Sequence, residues 1–341
     1  MALFNFLSND LAIDLGTANT LIWMKGKNIV LNEPTIVAYE KNSKEIIAIG
    51  HDAKDMLGRT HKDIAIIRPL RDGAIADFEI TEGFLKALIR KVSNSWQPAR
   101  RIVVCVPSGI TEVEKRAVRD SCEHAGAKEV HLVAEPMASA IGVGLDVHES
   151  TGNMIVDIGG GTTEIAVISL SGIVESESIR IAGDEMTDAI VNHFRRKHNL
   201  LIGDKTAEGI KCAVGSAVPL EIETTIEVKG RNISQGRPEQ IMTSSVDIRE
   251  ALSDPIAQIV SAILSVLERV SGEIASDIYD RGIILTGGGA LLNGLDERIR
   301  KETSLAVHIG DDPLTAVVRG TGKILENLND YSSVLIKSTR Y

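Results

Sequence analysis

Residues 153–174 read NMIVDIGGGTTEIAVISLSGIV, and residues 11–30 read LAIDLGTANTLIWMKGKNIV. Each begins with an apolar run that ends on an aspartate, Asp157 in one and Asp14 in the other. A Gly/Thr turn follows, then a second apolar run and another tight turn, Ser171-Gly172 or Lys25-Gly26-Lys27. Both fit antiparallel strands joined by short turns, the second of them running from Glu164 to Leu170. The aspartates lie 157 − 14 = 143 residues apart, so each half of the chain opens with the same unit. That is an internal duplication of a domain.

The chemistry of such turns follows from their backbone. Glycine beside Thr or Asn exposes several N–H groups in a concave nest that suits phosphate oxygens. A carboxylate at the end of the preceding strand is a hard ligand of the kind that holds Mg²⁺, usually through retained waters. One DxGxxxT hairpin reads equally as a plain β-turn. Two in corresponding positions, facing each other, would clamp a nucleotide phosphate chain from both sides. A third cluster, Thr286-Gly287-Gly288-Gly289-Ala290, ends the apolar run Ile283–Leu285 and opens a helix with Leu291, Leu292, Leu295 and Ile299 on one face. It reads either as a strand–helix turn needing positive φ or as bare backbone on which a flat ligand can lie. The chain lacks GxxxxGK[ST], a dinucleotide-type GxGxxG and an HRDxxxxN string.

Composition sets outer bounds. The 341 residues carry a net charge of −10, with 43% hydrophobic and only 3% aromatic residues. Two domains are expected at this length. The acidic balance excludes a protein that coats nucleic acid, which needs a basic surface. Cys105, Cys122 and Cys212 are odd in number and show no CxxC spacing, so they read as small buried hydrophobes in a reducing cytoplasm. No apolar run approaches the ~18 residues that span a bilayer, and no signal peptide opens the chain. Thr111-Glu112-Val113-Glu114 is a capping box opening a helix to about Ala125. Asp254-Pro255 starts another, with Ile256, Ile259, Val260, Ile263, Leu264 and Leu267 as one apolar stripe. A small α/β insertion spans 33–72, and a second at 183–245 carries helices near Asp188–Lys197 and Thr206–Val214, then strands in Leu220–Lys229 and Gln240–Val246.

These motifs resemble those of the superfamily that contains actin, sugar kinases and heat-shock chaperone ATPases. Asp14–Thr20 resembles its first phosphate motif, Asp157–Glu164 its second and Thr286–Gly294 its adenosine motif. DLGTANT, VAEPMASAIG, DIGGGTTE, TAEGIKCAVGSA and TGGGALLNGL together resemble, in order and across nearly the whole chain, the MreB family of bacterial actin homologues. The resemblance implies an α/β actin-like ATPase fold. Two duplicated ribonuclease H-like lobes, each with a small inserted subdomain, would surround a nucleotide cleft. Lobe I would take 1–32, 73–150 and 325–341 with insertion 33–72, and lobe II 151–182 and 246–324 with insertion 183–245.

The resemblance also implies roles. Thr17, Ala18, Asn19, Gly160, Gly161 and Thr162 would contact the phosphates of ATP. Asp14 and Asp157 would hold Mg²⁺ through water. Glu135, at the start of EPMASAIG, would orient the attacking water with Thr162 nearby and Asp157 on the metal side. By itself Glu135 reads as a helix-start carboxylate favoured by the macrodipole. Glu208, Gly209, Ile210 and Lys211 would touch ribose and adenine, with Gly287, Gly288, Gly289 and Ala290 beneath. By themselves, Glu208 and Lys211 read as a solvated i,i+3 pair. The implied function is a homopolymeric filament on the inner face of the cytoplasmic membrane, working with cell-wall elongation proteins to keep a rod shape. Leu3, Phe4, Phe6 and Leu7 could form a short amphipathic turn, and Trp96 an interfacial anchor. A small-molecule kinase on the same fold is the alternative, but no sugar pocket is visible in the sequence. A chaperone ATPase would need a further substrate-binding domain after the ATPase core.

Overall fold

The strand that carries Asp14, Asn9–Leu15, lies at the centre of a five-stranded sheet. This computed structural model describes residues 9–71, 73–93 and 99–337. The strand pairs antiparallel with Asn19–Met24, which pairs in turn with Asn28–Pro34. On its other side Ala99–Val106 and then Glu129–Ala134 run parallel to it. Leu11, Ala12 and Ile13 are all fully buried. A strand covered on both faces reads as an unbroken apolar run rather than an alternation, as this one does. One face packs on Ile80, Phe84, Leu85 and Leu88 of the helix Phe78–Val92 and on Val118 and Cys122 of Glu112–His124. The expected capping box at Thr111 is present, with reciprocal bonds to Glu114.

The second Asp strand, Asn153–Ile158, is central in a second five-stranded sheet with the same plan. The hairpin strands Thr163–Ser169 and Gly172–Ile179 lie on one side, and the parallel strands Ile283–Thr286 and Val307–Ile309 on the other. The strand after Asp157 ends one residue earlier than expected. Leu170 and Ser171 take φ of +51° and +62°, so they form the two-residue turn that matches the right-handed twist of a hairpin.

The described residues divide into two compact units. The first holds the chain up to Ser150, Ile168–Val174 and the residues from Leu314 onward; the second holds Thr151–Val167 and Glu175–Pro313. The helix Ala316–Glu326 therefore falls in the first unit, whereas residues up to 324 were expected in the second lobe. Backbone contact fixes it there. A Cβ on Gly320 would stand 1.7 Å from the Ala138 carbonyl oxygen, and one on Gly142 would stand 1.8 Å from that of Ala316. The first unit also holds a small sheet of Ile46–Ile49, Val37–Glu40 and Ile64–Ile67 with the short helix Gly50–Asp55. The second holds a small sheet of Leu200–Leu201, Thr225–Asn232 and Pro238–Ser244.

Two helices differ from expectation. The helix expected to start at Asp254-Pro255 runs Ser245–Arg269 with Pro255 in its interior. Ser244 caps it by accepting from the Asp247 N–H, and Ile248 and Leu252 extend the buried stripe of Ile256, Ile259 and Ile263 upstream. Burial of that stripe outweighs the lost proline N–H, which costs roughly 3 kcal/mol. The helix is long and apolar enough to span a bilayer by length and composition, yet its stripe packs into the core of the second unit. The helix expected straight after the glycine cluster is a single 3-10 turn, Gly288–Leu291, and the α-helix begins only at Leu295. Gly294 at φ +72° separates them, which leaves Leu291 exposed while Leu292, Leu295 and Ile299 are buried.

Candidate functional site

Each Asp strand delivers its carboxylate to a turn whose carbonyl oxygens are tied down from behind. In the first unit, Leu15 pairs with Thr20, leaving Gly16, Thr17 and Ala18 as the turn. Thr35 holds two of the turn's carbonyls: its hydroxyl donates to Gly16 O at 2.7 Å, and its N–H donates to Ala18 O at 3.0 Å. The Thr20 hydroxyl, fully buried, contacts that of Thr35 at 2.9 Å. A Cβ on Gly16 would lie 2.6 Å from Asn19 O, so only glycine fits so tight a bend. Thr17 is buried, its hydroxyl accepting from Gly73 N at 3.2 Å, while Ala18 is half-buried and Asn19 exposed.

Strand register brings two more groups to Asp14. Asp14 lies opposite Cys105 in the parallel pair, and the Cys105 thiol donates to Asp14 Oδ1 at 3.4 Å. One strand further, Ala134 lies opposite Val106, and Glu135 follows at the first turn of the helix Glu135–Gly142 with Pro136 beside it. Burial pushes the Cys105 thiol well above its usual range, and the negative charges of Asp14 and Glu135 push it further. The first unit thus gathers Asp14, a neutral thiol and Glu135 beside the turn.

In the second unit the Gly159–Thr162 turn closes with a Gly159 N–H bond to Thr162 O at 2.9 Å. Its carbonyls are taken by the start of the helix Gly183–Lys197. Gly183 N donates to Gly159 O at 3.2 Å, and Asp184 N donates to Gly160 O at 2.7 Å. In an anion-binding turn the carbonyls must point away from the anion, and in each turn two carbonyls are bonded to a neighbouring element. Asp157 and Thr162 are buried, at 6% and 8% exposure. Asp157 lies opposite Thr286 in the parallel register, so the glycine cluster begins right beside it. A Cβ on Gly287, which has φ +79°, would meet Ile158 O at 2.3 Å and Asp157 Oδ1 at 2.6 Å. One on Gly289 would meet the Ile158 side chain at 2.2 Å.

Lys211 connects a further element to this turn. Its Nζ donates to Gly183 O at 2.7 Å and to Thr187 Oγ1 at 3.1 Å, and pairs with Glu208 Oε2 at 2.7 Å. Thr187 donates to the same carboxylate oxygen of Glu208. Burial raises the Glu208 pKa, but hydrogen bonds from Lys211 and Thr187 outweigh it and hold the carboxyl below its usual range. The Glu208–Lys211 pair is therefore part of a hydrogen-bonded network under the helix start, rather than the free solvated pair its spacing suggests.

Among the residues singled out in the sequence, Thr17, Ala18, Asn19, Asp14 and Glu135 fall in the first unit. Asp157, Gly160, Gly161, Thr162, Glu208, Gly209, Lys211 and Gly287–Gly289 fall in the second. Ile210 and Ala290 are core residues, 2% and 0% exposed, while Glu208 and Gly209 are exposed. Leu3, Phe4, Phe6, Leu7 and Trp96 lie outside the described residues. Cys212, expected to be buried like the others, is exposed with Sγ 3.5 Å from Glu208 Oε1. Three contributors escaped the sequence reading: Cys105, Thr35 and the Gly183-Asp184 helix start. Only the last left a trace, in the Asp184-Glu185 pair of a helix N-terminal turn.

Comparison with known proteins bears on family and fold. The sequence profile described as MreB/Mbl protein matches residues 8–333. The chain is 55% identical over 328 residues to the cell shape-determining protein MreB of Escherichia coli K12, covering 94% of each. It is 47% identical over 323 residues to the cell shape-determining protein Mbl of Bacillus subtilis 168, covering 94% of this chain and 97% of that one. Among solved structures, MreB5 of Spiroplasma citri bound to AMPPNP superposes with a TM-score of 0.90 at 36% identity, covering 95% and 97% of the two chains. The MamK double helical filament superposes at 0.80 with 20% identity over 94% and 99%, a likeness of fold alone.

Proposed function

The chain belongs to the MreB/Mbl family, whose relatives are named as cell shape-determining proteins, and has their actin-like fold; from that premise we propose that it is an ATP-hydrolysing, filament-forming cytoskeletal protein. The observation that carries the reading is the repeated turn. In both units an Asp strand ends at a bend in which two carbonyls are hydrogen-bonded to another element, an arrangement that suits a turn presenting N–H groups to phosphate oxygens. The MreB5 structure holds AMPPNP and a companion structure of that protein holds ADP, which supports a nucleotide as the ligand.

The first unit would contribute Thr17, Ala18 and Asn19 to the phosphates, and the second Gly160, Gly161 and Thr162. Gly287–Gly289, with the Glu208–Lys211 network, would receive the nucleoside. Asp14 and Asp157 fit Mg²⁺, because they offer hard oxygens and the Cys105 thiol beside Asp14 is kept protonated. Bound Mg²⁺ would neutralise charge on the phosphates. Glu135 would accept a hydrogen bond from the attacking water and aim its lone pair at the γ-phosphorus. Filaments would form on the inner face of the cytoplasmic membrane, anchored through Leu3, Phe4, Phe6, Leu7 and Trp96, and guide the cell-wall elongation machinery.

The test is pelleting and electron microscopy with ATP, ADP and lipid, beside phosphate release. The native chain should form filaments and release phosphate. Glu135→Ala should retain ATP and lose phosphate release by about a hundredfold or more, the range for a general base. Normal release by that variant would refute the role of Glu135. Absence of filaments under every nucleotide and lipid condition, together with phosphate transfer to a sugar, would overturn the whole reading.

A further inference from the structure

Away from both turns, a dense group of titratable side chains gathers where the helix Gly183–Lys197 ends beside the start of Ser245–Arg269. The Asp247 carboxylate is its centre. Oδ1 contacts His193 Nε2 at 3.0 Å and Lys197 Nζ at 2.7 Å. Oδ2 contacts His198 Nε2 at 2.7 Å and accepts from Thr243 Oγ1 at 2.9 Å. The side chains of His193, Asp247 and His198 are only 11%, 12% and 24% exposed. The Phe194 ring packs 5.2 Å from that of His198 and 6.5 Å from that of His193, edge-on to the latter, so both imidazoles are oriented by packing.

We propose that His193, His198 and Asp247 form a binding site for one divalent transition-metal ion of the zinc type. His193 Nε2, His198 Nε2 and a carboxylate oxygen all lie within 4.8 Å of one another. An ion with bonds of about 2.0–2.1 Å to tetrahedral ligands holds them roughly 3.4 Å apart, a spacing that small rotations of these side chains reach. Two imidazole nitrogens with one carboxylate suit zinc, not the all-oxygen preference of magnesium or calcium. Three protein ligands leave a fourth position for water or an exogenous group.

Three further observations point the same way. Thr243 fixes the carboxylate from behind, as outer partners of metal ligands do. Lys197 occupies the cation position now, and Glu250 stands ready 2.6 Å from its Nζ. An incoming ion can displace the ammonium onto Glu250 without leaving either charge unpaired. The groove beside the group is lined by Glu185, Asp188, Glu250 and Asp254 against Arg196 and Lys197, which favours approach of a cation. A bound ion would staple together residues 54 positions apart.

The test uses the full chain titrated with Zn²⁺ against a chromophoric chelator, and with Co²⁺ as a spectroscopic probe. One equivalent should bind, and Co²⁺ should give visible ligand-field bands with no sulfur charge-transfer band. His193→Ala and His198→Gln should each weaken binding by about tenfold or more. Lys197→Ala should tighten it, since the competing cation is gone, whereas a purely structural ion-pair network predicts no gain. His61→Ala, at the exposed His61–Asp63 pair, should change nothing. Binding that persists in the His193→Ala/His198→Gln double variant, a sulfur band from Cys212, or no binding by the native chain would overturn the proposal.

Discussion

The two Asp turns solve one problem with different materials. Asp14 and Asp157 occupy equivalent central strands, and their parallel-strand partners, Cys105 and Thr286, are equivalent as well. In the first unit the turn contains one glycine, and Thr35 supplies the groups that hold its carbonyls. In the second it contains three, and the start of a helix does the holding. The strand beside Asp14 continues into Pro107-Ser108, whereas that beside Asp157 continues into Gly287-Gly288-Gly289, pressed against the carboxylate itself. The duplication thus kept the sheet plan and the carboxylate, while the surroundings diverged: one side gained a carboxylate, Glu135, and the other a bare backbone platform.

That asymmetry can be attacked directly. The largest effect is expected at Gly287, where alanine would collide with Ile158 O and Asp157 Oδ1 at a φ of +79°. Gly287→Ala should cost about 3–5 kcal/mol in urea unfolding, in the range of strained backbone and overpacking added together. Gly16→Ala, with one backbone clash and no positive φ, should cost less. Equal costs would mean that the two turns are supported alike.

A smaller effect tests the equivalence of Cys105 and Thr286. Cys105→Ala removes a buried sulfur and its bond to Asp14, and should cost about 1–2 kcal/mol. Cys105→Thr, which installs the residue of the second unit in the first, should stay within about 1 kcal/mol of the native chain. If Cys105→Thr is the worse of the two, the register pairs are not interchangeable.

The smallest effect is in acid. Glu208 has a folded pKa below its unfolded value, so its contribution to stability is fully present above about pH 4.5 and is lost as pH falls through the folded value. Lys211→Met should flatten that part of the stability–pH curve, measured by urea unfolding between pH 5 and 3. No change in slope would place the Glu208–Lys211 pair outside the stability of the second turn.

Both hairpins, the glycine cluster and the Thr111 cap were legible because each is written in adjacent residues. What failed was long-range or outweighed. Pro255 reads as a helix start because proline is favoured there, but a cap at Ser244 and the stripe from Ile248 onward carried the helix through it. Cys105 reads as filler, since nothing local says that strand register sets it against Asp14. His193 and Asp247 are 54 residues apart and meet only because two helices pack side by side. Thr35 lies a strand away from the carbonyls it holds.

One feature of the fold bears on the proposed role of Glu135. Where Gly142 meets Gly320, main chain rests on main chain, with no side chain between to rotate out of the way. Glu135 and Gly142 are the two ends of one short helix, about 10 Å apart at 1.5 Å per residue. The crossing therefore acts as a fulcrum and the helix as a stiff arm, with the carboxylate at its tip. A single methyl added at position 320, far along the sequence from the residues proposed to meet phosphate, would tilt that arm and, on the proposed role of Glu135, register in an assay as a fault in hydrolysis.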